Sequence, residues 1–412
     1  MAEGQSGKRI VVVGGGPAGV LAAIEAKRAD PGAQVLLLTD EACEPYEKPP
    51  LSKAVLTGKA LPEHALIAGA GGVAAQNVVL ERTAVVTAID RTAREVIAID
   101  ERRYPYDALV LATGSLVREL PQFPIGMTGV HYLRNEADAR ALGVVLGQSK
   151  NLVVVGGGLI GLEVAASARE LGVRTTVLEV APRILARVCD EDTAAFIVNE
   201  HRRRGVDLRT GATITGVDAT RDGIGVTIEG GEIVSADLVV VGTGVKPNDA
   251  LAAVARLATD NGIIVDEQCR TSDPTIFAAG DAVRFPAPHG LVRLENWRHA
   301  LDQGAVAGRN AAGARETYRT VPSFWSEQYD LYIQGVGWPP AQPGVRIRRP
   351  LSGKSLLAFE LGDGFLLYAM GINAQRDLAA ARRLIERRIQ VDAAALSDPN
   401  RPLASMLKAS AG

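Results

Sequence analysis

The chain has 412 residues, of which 47% are hydrophobic, and a formal net charge of −2 from 45 basic and 47 acidic side chains. That composition supports buried cores and excludes a disordered chain, and 3 cysteines are too few for a disulfide-stapled miniprotein. The balanced charge gives no field for nucleic acid, and the 44 glycines lack the three-residue period of collagen.

The polar start, Met1–Lys8, has no apolar signal core. No apolar run approaches the ~20 residues of a membrane span. Cys43, Cys189 and Cys269 are isolated, without CxxC, which fits a reducing compartment and no structural zinc. A cytoplasmic protein without a membrane segment is the expectation. His64, His131, His201, His289 and His299 have neither i, i+4 pairing nor an HExxH context, so no metal site is expected.

The spacing predicts a strand over Arg9–Val13, a turn over Gly14–Gly19, a helix over Val20–Arg28 and a strand over Gln34–Thr39 that ends at Asp40. This is one βαβ unit. Prolines 45, 49 and 50 make 41–52 a loop. Val78–Ile99 alternates as strands do.

The first pattern then recurs. Asn151–Val155 reads as a strand, Gly156–Gly161 as a turn, Leu162–Leu171 as a helix, and Thr175–Leu178 as a strand followed by Glu179. Each copy ends in a related strand and turn, with Ala112, Thr113 and Gly114 in one and Gly242 through Gly244 in the other. Beyond 320 aromatic residues collect in short alternating segments, followed by an Arg-rich helix over Arg376–Ile389. Fold class is therefore α/β: two Rossmann-like dinucleotide-binding domains plus a C-terminal α+β domain.

A single GxGxxG is weak; two in strand–turn–helix context, each followed by an acid, are strong. The first Gly permits the tight turn, the second lets pyrophosphate approach, and the third lets helix pack on strand. The helix N-terminus offers free N–H groups to phosphate. Gly14, Gly16, Pro17, Gly19 and Asp40 form one candidate set; Gly156, Gly158, Leu159, Gly161 and Glu179 form the other. A carboxylate at 179 repels a 2′-phosphate, so NADH is expected rather than NADPH, although Arg183 follows nearby. Two dinucleotides on one chain suggest FAD plus NADH. The strand run Thr275–Ala279 delivers Gly280 and Asp281, a carboxylate able to accept from a ribityl hydroxyl.

The stretches Tyr46-Glu-Lys-Pro-Pro-Leu-Ser-Lys53, Gly156–Glu163, Glu295-Asn-Trp-Arg-His-Ala-Leu-Asp-Gln303 and Phe324-Trp-Ser-Glu-Gln-Tyr-Asp330 span nearly the whole chain. In them the sequence resembles the pyridine-nucleotide flavoprotein oxidoreductases, and among these the NADH-dependent ferredoxin reductases of oxygenase systems, the glutathione-reductase-like fold with an added C-terminal domain. The resemblance implies FAD contacts at Ala18, Asp40, Lys53, Val86, Arg134, Asp281 and Trp297, NAD contacts at Ile160, Glu163 and Glu179, and Trp325 facing the flavin and the docking surface. Lys53 and Glu163 are the implied catalytic pair. Lys48 stands where Arg is common, and Trp297 where the relatives often carry an aliphatic residue.

The expected organisation is a first FAD-binding part (1–117), an NADH-binding domain (118–244), a second FAD-binding part (245–322) and a C-terminal interface domain (323–412). The implied partner is a 2Fe–2S ferredoxin that supplies a P450 or Rieske oxygenase, met by a monomer or homodimer. Arg298, Arg309 and the Arg382-Arg383 pair are candidates for steering it. Two other readings stay open: an NADH oxidase or peroxide/disulfide reductase using Cys43, and an apoptosis-inducing-factor-like NADH-sensing binding protein.

Overall fold

In the computed structural model, which describes residues 7–220, 223–288, 290–339 and 344–407, the β-branched run Arg9–Val13 is a central parallel strand. Gln34–Leu38 pairs with it on one side and Ala108–Leu111 on the other. Val79–Glu81 and Ile276–Ala278 complete a five-stranded parallel sheet. Ile10, Val12, Leu37, Leu109, Val110 and Leu111 are fully buried, as expected for strands covered on both faces. The first helix is Pro17–Ala29. It starts earlier than Val20 because Pro is favoured in the first helical turn, where its missing N–H costs nothing.

The helix Trp297–Ala312 packs along the first helix. A Cβ on Gly304 would lie 2.2 Å from the Ala18 carbonyl oxygen, and one on Gly308 2.1 Å from that of Ala22. Two glycines at i, i+4 therefore allow backbone-to-backbone approach. A three-stranded antiparallel sheet, Val86–Asp90, Glu95–Ala98 and Arg103–Pro105, belongs to the same unit. That unit comprises 1–47, 61–116 and 245–320.

The second unit comprises 48–60, 117–244 and 321–412. Its parallel sheet runs Val206–Thr210, Arg174–Glu179, Asn151–Val155, Leu238–Val241, Val130–Tyr132. Helix Leu159–Glu170 follows the glycine turn. Toward the C-terminus, Ser323–Gln328, Leu331–Gly337, Phe365–Ile372, Leu356–Gly362 and Val345–Pro350 form an antiparallel five-stranded sheet in that order. Helix Gln375–Glu386 covers it through Leu378, Ala381 and Leu384.

This sheet shares a core with the parallel sheet's layer: Leu331, Ile333, Tyr368, Met370 and Ile372 pack in one cluster with Leu152, Leu162, Ile184 and Ile197. Leu56 belongs to the same cluster. Residues 48–60, which along the chain lie inside the first nucleotide-binding stretch, thus pack with the second. His289 and 408–412 lie outside the described residues.

Candidate functional site

In the first unit, three segments emerge from the carboxyl ends of adjacent parallel strands, where open α/β sheets bind ligands. They are the Gly14–Gly19 turn, Ala112-Thr113-Gly114, and Gly280-Asp281. Gly14 has φ +117°, and a Cβ there would sit 2.1 Å from the Ala112 carbonyl oxygen. A Cβ on Gly19 would meet the Gly14 carbonyl oxygen at 1.8 Å, so both ends of the turn require glycine. Gly16, by contrast, faces open space, with nothing within 4 Å of an added Cβ. This is the room a pyrophosphate needs, in front of the N-terminus of the helix that carries Pro17 and Ala18. Thr113 Oγ1 donates to the Asn248 carbonyl at 2.6 Å, and Ser115 Oγ donates to Asp281 Oδ2 at 3.1 Å. Gln303 Oε1 accepts from the Gly280 amide at 2.8 Å and fixes that turn.

The second unit repeats the device. A Cβ on Gly156 would lie 2.6 Å from the Gly242 carbonyl oxygen, one on Gly161 2.1 Å from that of Gly156, and Gly158 faces open space. Leu159 and Ile160 open the helix, with Ile160 exposed. Glu179 Oε2 accepts from the Gly157 amide at 2.6 Å and Oε1 from the Ala181 amide at 2.8 Å. The carboxylate is thereby held at the turn, with lone pairs left for ribose hydroxyls. Arg183 donates to the Cys189 and Ala186 carbonyls at 2.5 and 3.0 Å, so its guanidinium is spent inside its own loop.

The two acids are not equivalent. Val13 pairs with Leu38 and Val155 with Leu178, so Thr39, not Asp40, occupies the register position of Glu179. A Cβ on Gly15 would meet Thr39 Oγ1 at 2.5 Å, as one on Gly157 would meet Glu179. Asp40 is one residue further out and exposed.

Glu163 is the centre of a buried cluster in the second unit. Pro49 and Pro50 preset a 3-10 turn over Pro49–Ser52, and Leu51 is buried beneath it. Ser52 Oγ donates to Glu163 Oε2 at 2.5 Å, and Lys53 Nζ lies 3.1 Å from the same oxygen. Ser326 Oγ donates to Glu163 Oε1 at 2.7 Å. The Glu163 side chain is 3% exposed and that of Lys53 18%. A buried carboxylate with a cation and two hydroxyl donors meets the conditions under which burial of charge is tolerated.

Val86 opens its strand in the first unit; Arg134 lies in the second, just before the helix Glu136–Leu146, its amide donating to Asp138 Oδ2. Trp297 begins its helix in the first unit, and Trp325 is half-buried on the strand Ser323–Gln328 of the second. None of the three cysteines is in a disulfide. Burial pushes the Cys189 thiol up to about 12 and that of Cys269 upward as well, so neither forms a thiolate readily. Of the steering candidates, Arg309 is paired with Glu25 and Glu316, Arg298 with Asp302 and Arg382 with Glu386. Sequence reasoning missed Ser52, Gln303, Ser326, Gln328 and His201, although the first four lie inside the family-like stretches 46–53, 295–303 and 324–330.

Two nucleotide cradles of the doubly wound kind, with room for pyrophosphate at each helix N-terminus, define a two-dinucleotide oxidoreductase. Residues 8–304 match the pyridine nucleotide-disulphide oxidoreductase family and 323–407 the reductase C-terminal family. The chain is 39% identical over 401 residues to the ferredoxin–NAD(+) reductase component of the anthranilate 1,2-dioxygenase system of Burkholderia cepacia, covering 96% of this chain and 98% of that one. It is 38% identical over 380 residues to rhodocoxin reductase of Rhodococcus erythropolis, covering 91% and 89%. It is also similar to the crystal structure of the covalent putidaredoxin reductase–putidaredoxin complex, with TM-score 0.93, 35% identity, and 98% and 99% coverage. The chain belongs to the pyridine nucleotide-disulphide oxidoreductase family and carries a reductase C-terminal module over 323–407.

Proposed function

We propose that this protein is an FAD-dependent NADH:ferredoxin reductase that passes electrons singly to a 2Fe–2S ferredoxin supplying a P450 or Rieske-type oxygenase in the cytoplasm. The observation that carries the reading is the similarity to oxygenase-system ferredoxin reductases over both nucleotide modules and the C-terminal module together. FAD, when bound, takes two electrons from NADH together and releases them one at a time.

The residues divide the work. Gly14, Gly16, Gly19, Asp40 and Asp281 hold FAD through its phosphates and hydroxyls, with Ala18, Val86, Ala112, Thr113, Gly114, Arg134, Gly280 and Trp297 completing the contacts. Gly156, Gly158, Ile160, Gly161, Gly242 and Glu179 hold NADH. The Glu179 carboxylate repels a 2′-phosphate, and Arg183 is engaged with carbonyls and unavailable to welcome one. Glu163 orients the Lys53 ammonium, which would offer the flavin, when bound, a fixed positive charge. The C-terminal module, through Trp325, faces the ferredoxin.

Disulfide or peroxide chemistry at Cys43 is the competing reading. Cys189 and Cys269 are buried and disfavoured as thiolates, so neither is suited to exchange with a disulfide. Purified protein given NADH and a 2Fe–2S ferredoxin should bleach the ferredoxin, and Cys43→Ser should do so at the wild-type rate. A wild type that reduces oxygen or a disulfide in place of the ferredoxin, and a Cys43→Ser variant that has lost that turnover, would favour the competitor.

A further inference from the structure

The Glu163 carboxylate is the inner end of a chain of side chains in which every proton position is forced. A carboxylate only accepts, so the single hydroxyl proton of Ser326 points at Glu163 Oε1, 2.7 Å away. Ser326 Oγ must then accept from its other neighbour, and Gln328 Nε2 donates to it at 3.0 Å. That turns Gln328 Oε1 toward His201 Nε2 at 2.9 Å, which must carry the proton. His201 Nδ1 is left as an acceptor, with the Tyr329 hydroxyl 3.2 Å away. The donors run one way, Tyr329 to His201 to Gln328 to Ser326 to Glu163. Ser326, Gln328 and His201 are all buried.

The sequence explains how the chain is built. Ser326 and Gln328 are alternate residues of one strand and share its inner face, while Glu327 between them is exposed. The strand ends in the turn at Tyr329, which has φ +58°. This strained residue is gripped on both sides: its ring lies 5.0 Å edge-on from that of His201, and the Arg204 guanidinium sits 4.4 Å over it. Arg204 also pairs with Glu200 and Asp330, and Lys354 with the same two acids. His201 lies on the helix Glu191–Arg203; the charged groups around it are Glu200 of that helix and Arg204 at its C-terminal cap, with the Tyr329 hydroxyl across from it. Burial and the Arg204 charge hold its imidazole below the usual histidine range, against the pull of Gln328 and Glu200. Around Glu163 the one charged neighbour among its hydrogen-bond partners is Lys53.

We infer that Ser326, Gln328 and His201 are positioning residues for the Glu163–Lys53 pair: they form a one-way donor chain by which the C-terminal sheet fixes the Glu163 carboxylate and aims it at Lys53. An amide stands in the middle, so the chain orients and polarises and does not conduct protons. The functional consequence rests on the NADH:ferredoxin reading above; the geometric consequence does not.

Two measurements test it. In protein labelled with carbon-13 at glutamate carboxyls, with Glu163 assigned by difference from Glu163→Gln, the Glu163 carboxyl resonance in Ser326→Ala should be displaced from its wild-type position at one fixed pH, because the carboxylate has lost a hydroxyl donor. Ser326→Thr, which keeps the hydroxyl, should restore the wild-type resonance. In stopped flow, NADH should reduce Ser326→Ala flavin about tenfold more slowly, with the ferredoxin KM unchanged. Should Ser326→Ala fail to fold, Gln328→Leu is read by the same two measurements, with the same outcomes expected. A folded, flavin-loaded variant with both the Glu163 carboxyl resonance and the NADH rate at wild-type values overturns the inference. If the wild type reduces no ferredoxin, the functional reading fails, and the carboxyl resonance still decides the donor chain.

Discussion

In the proposed reading, Glu179 is the residue on which the choice of nicotinamide nucleotide turns. Its carboxylate is fixed by two backbone amides, and the nearby Arg183 is folded back on carbonyls. Glu179→Ala should raise the NADH KM about tenfold while leaving flavin content near wild type; steady-state kinetics and the flavin absorbance check both. His299 makes a second prediction. It is buried, stacked on Phe285, with Nδ1 2.7 Å from the Tyr318 hydroxyl, and burial pushes its imidazole down to about 3. Its folded value lies below the unfolded one, about 6.5. The neutral ring's contribution to stability is therefore complete above about 6.5 and is lost as pH falls from there toward about 3. Nitrogen-15 NMR should find His299 neutral at pH 5; a ring titrating near 6.5 would contradict the assignment. Single residues were legible in the sequence where a motif spaced them, as with the turn glycines Gly14 and Gly19, whereas the Lys53 and Glu163 pair, 110 residues apart, was reached only through the family resemblance. Ser326 was not, because its partner is 163 residues away, and an alternating polar strand looks like a solvent-facing one.

At the level of elements, the strands Arg9–Val13 and Asn151–Val155 are where the hydrophobic runs put them. Both glycine turns pass into helix sooner than expected, at Pro17 and Leu159. Gly and Pro read as loop in a sequence, yet here they are the N-cap and first turn. The seating of helix Trp297–Ala312 on helix Pro17–Ala29 was hidden for a different reason. It depends on Gly304 and Gly308 meeting Ala18 and Ala22, and small residues leave no hydrophobic signal. Gly308→Ala should cost about 1–3 kcal/mol, because the new methyl meets a backbone oxygen that cannot step aside. Denaturant unfolding of the flavin-free protein measures it, and an unchanged midpoint would mean the helices separate freely.

On the scale of the whole molecule, the sequence pattern distinguished two nucleotide modules and a C-terminal one. It could not show that the C-terminal sheet shares a core with the Asn151–Val155 module, since that packing brings together residues such as Leu162 and Ile333 from distant stretches. Nor could it show that Arg298, Arg309 and Arg382 are neutralised by acids of their own chain, which weakens them as a steering field. The central claim is that electrons leave this protein singly for an iron–sulfur partner. An anaerobic titration measures it most directly: NADH is added in steps to a catalytic amount of the flavin-loaded protein with excess oxidised 2Fe–2S ferredoxin, and both chromophores are followed. The expected result is about two ferredoxins reduced for each NADH consumed. NADH consumption only after oxygen or a disulfide is admitted, with the ferredoxin still oxidised, would contradict it.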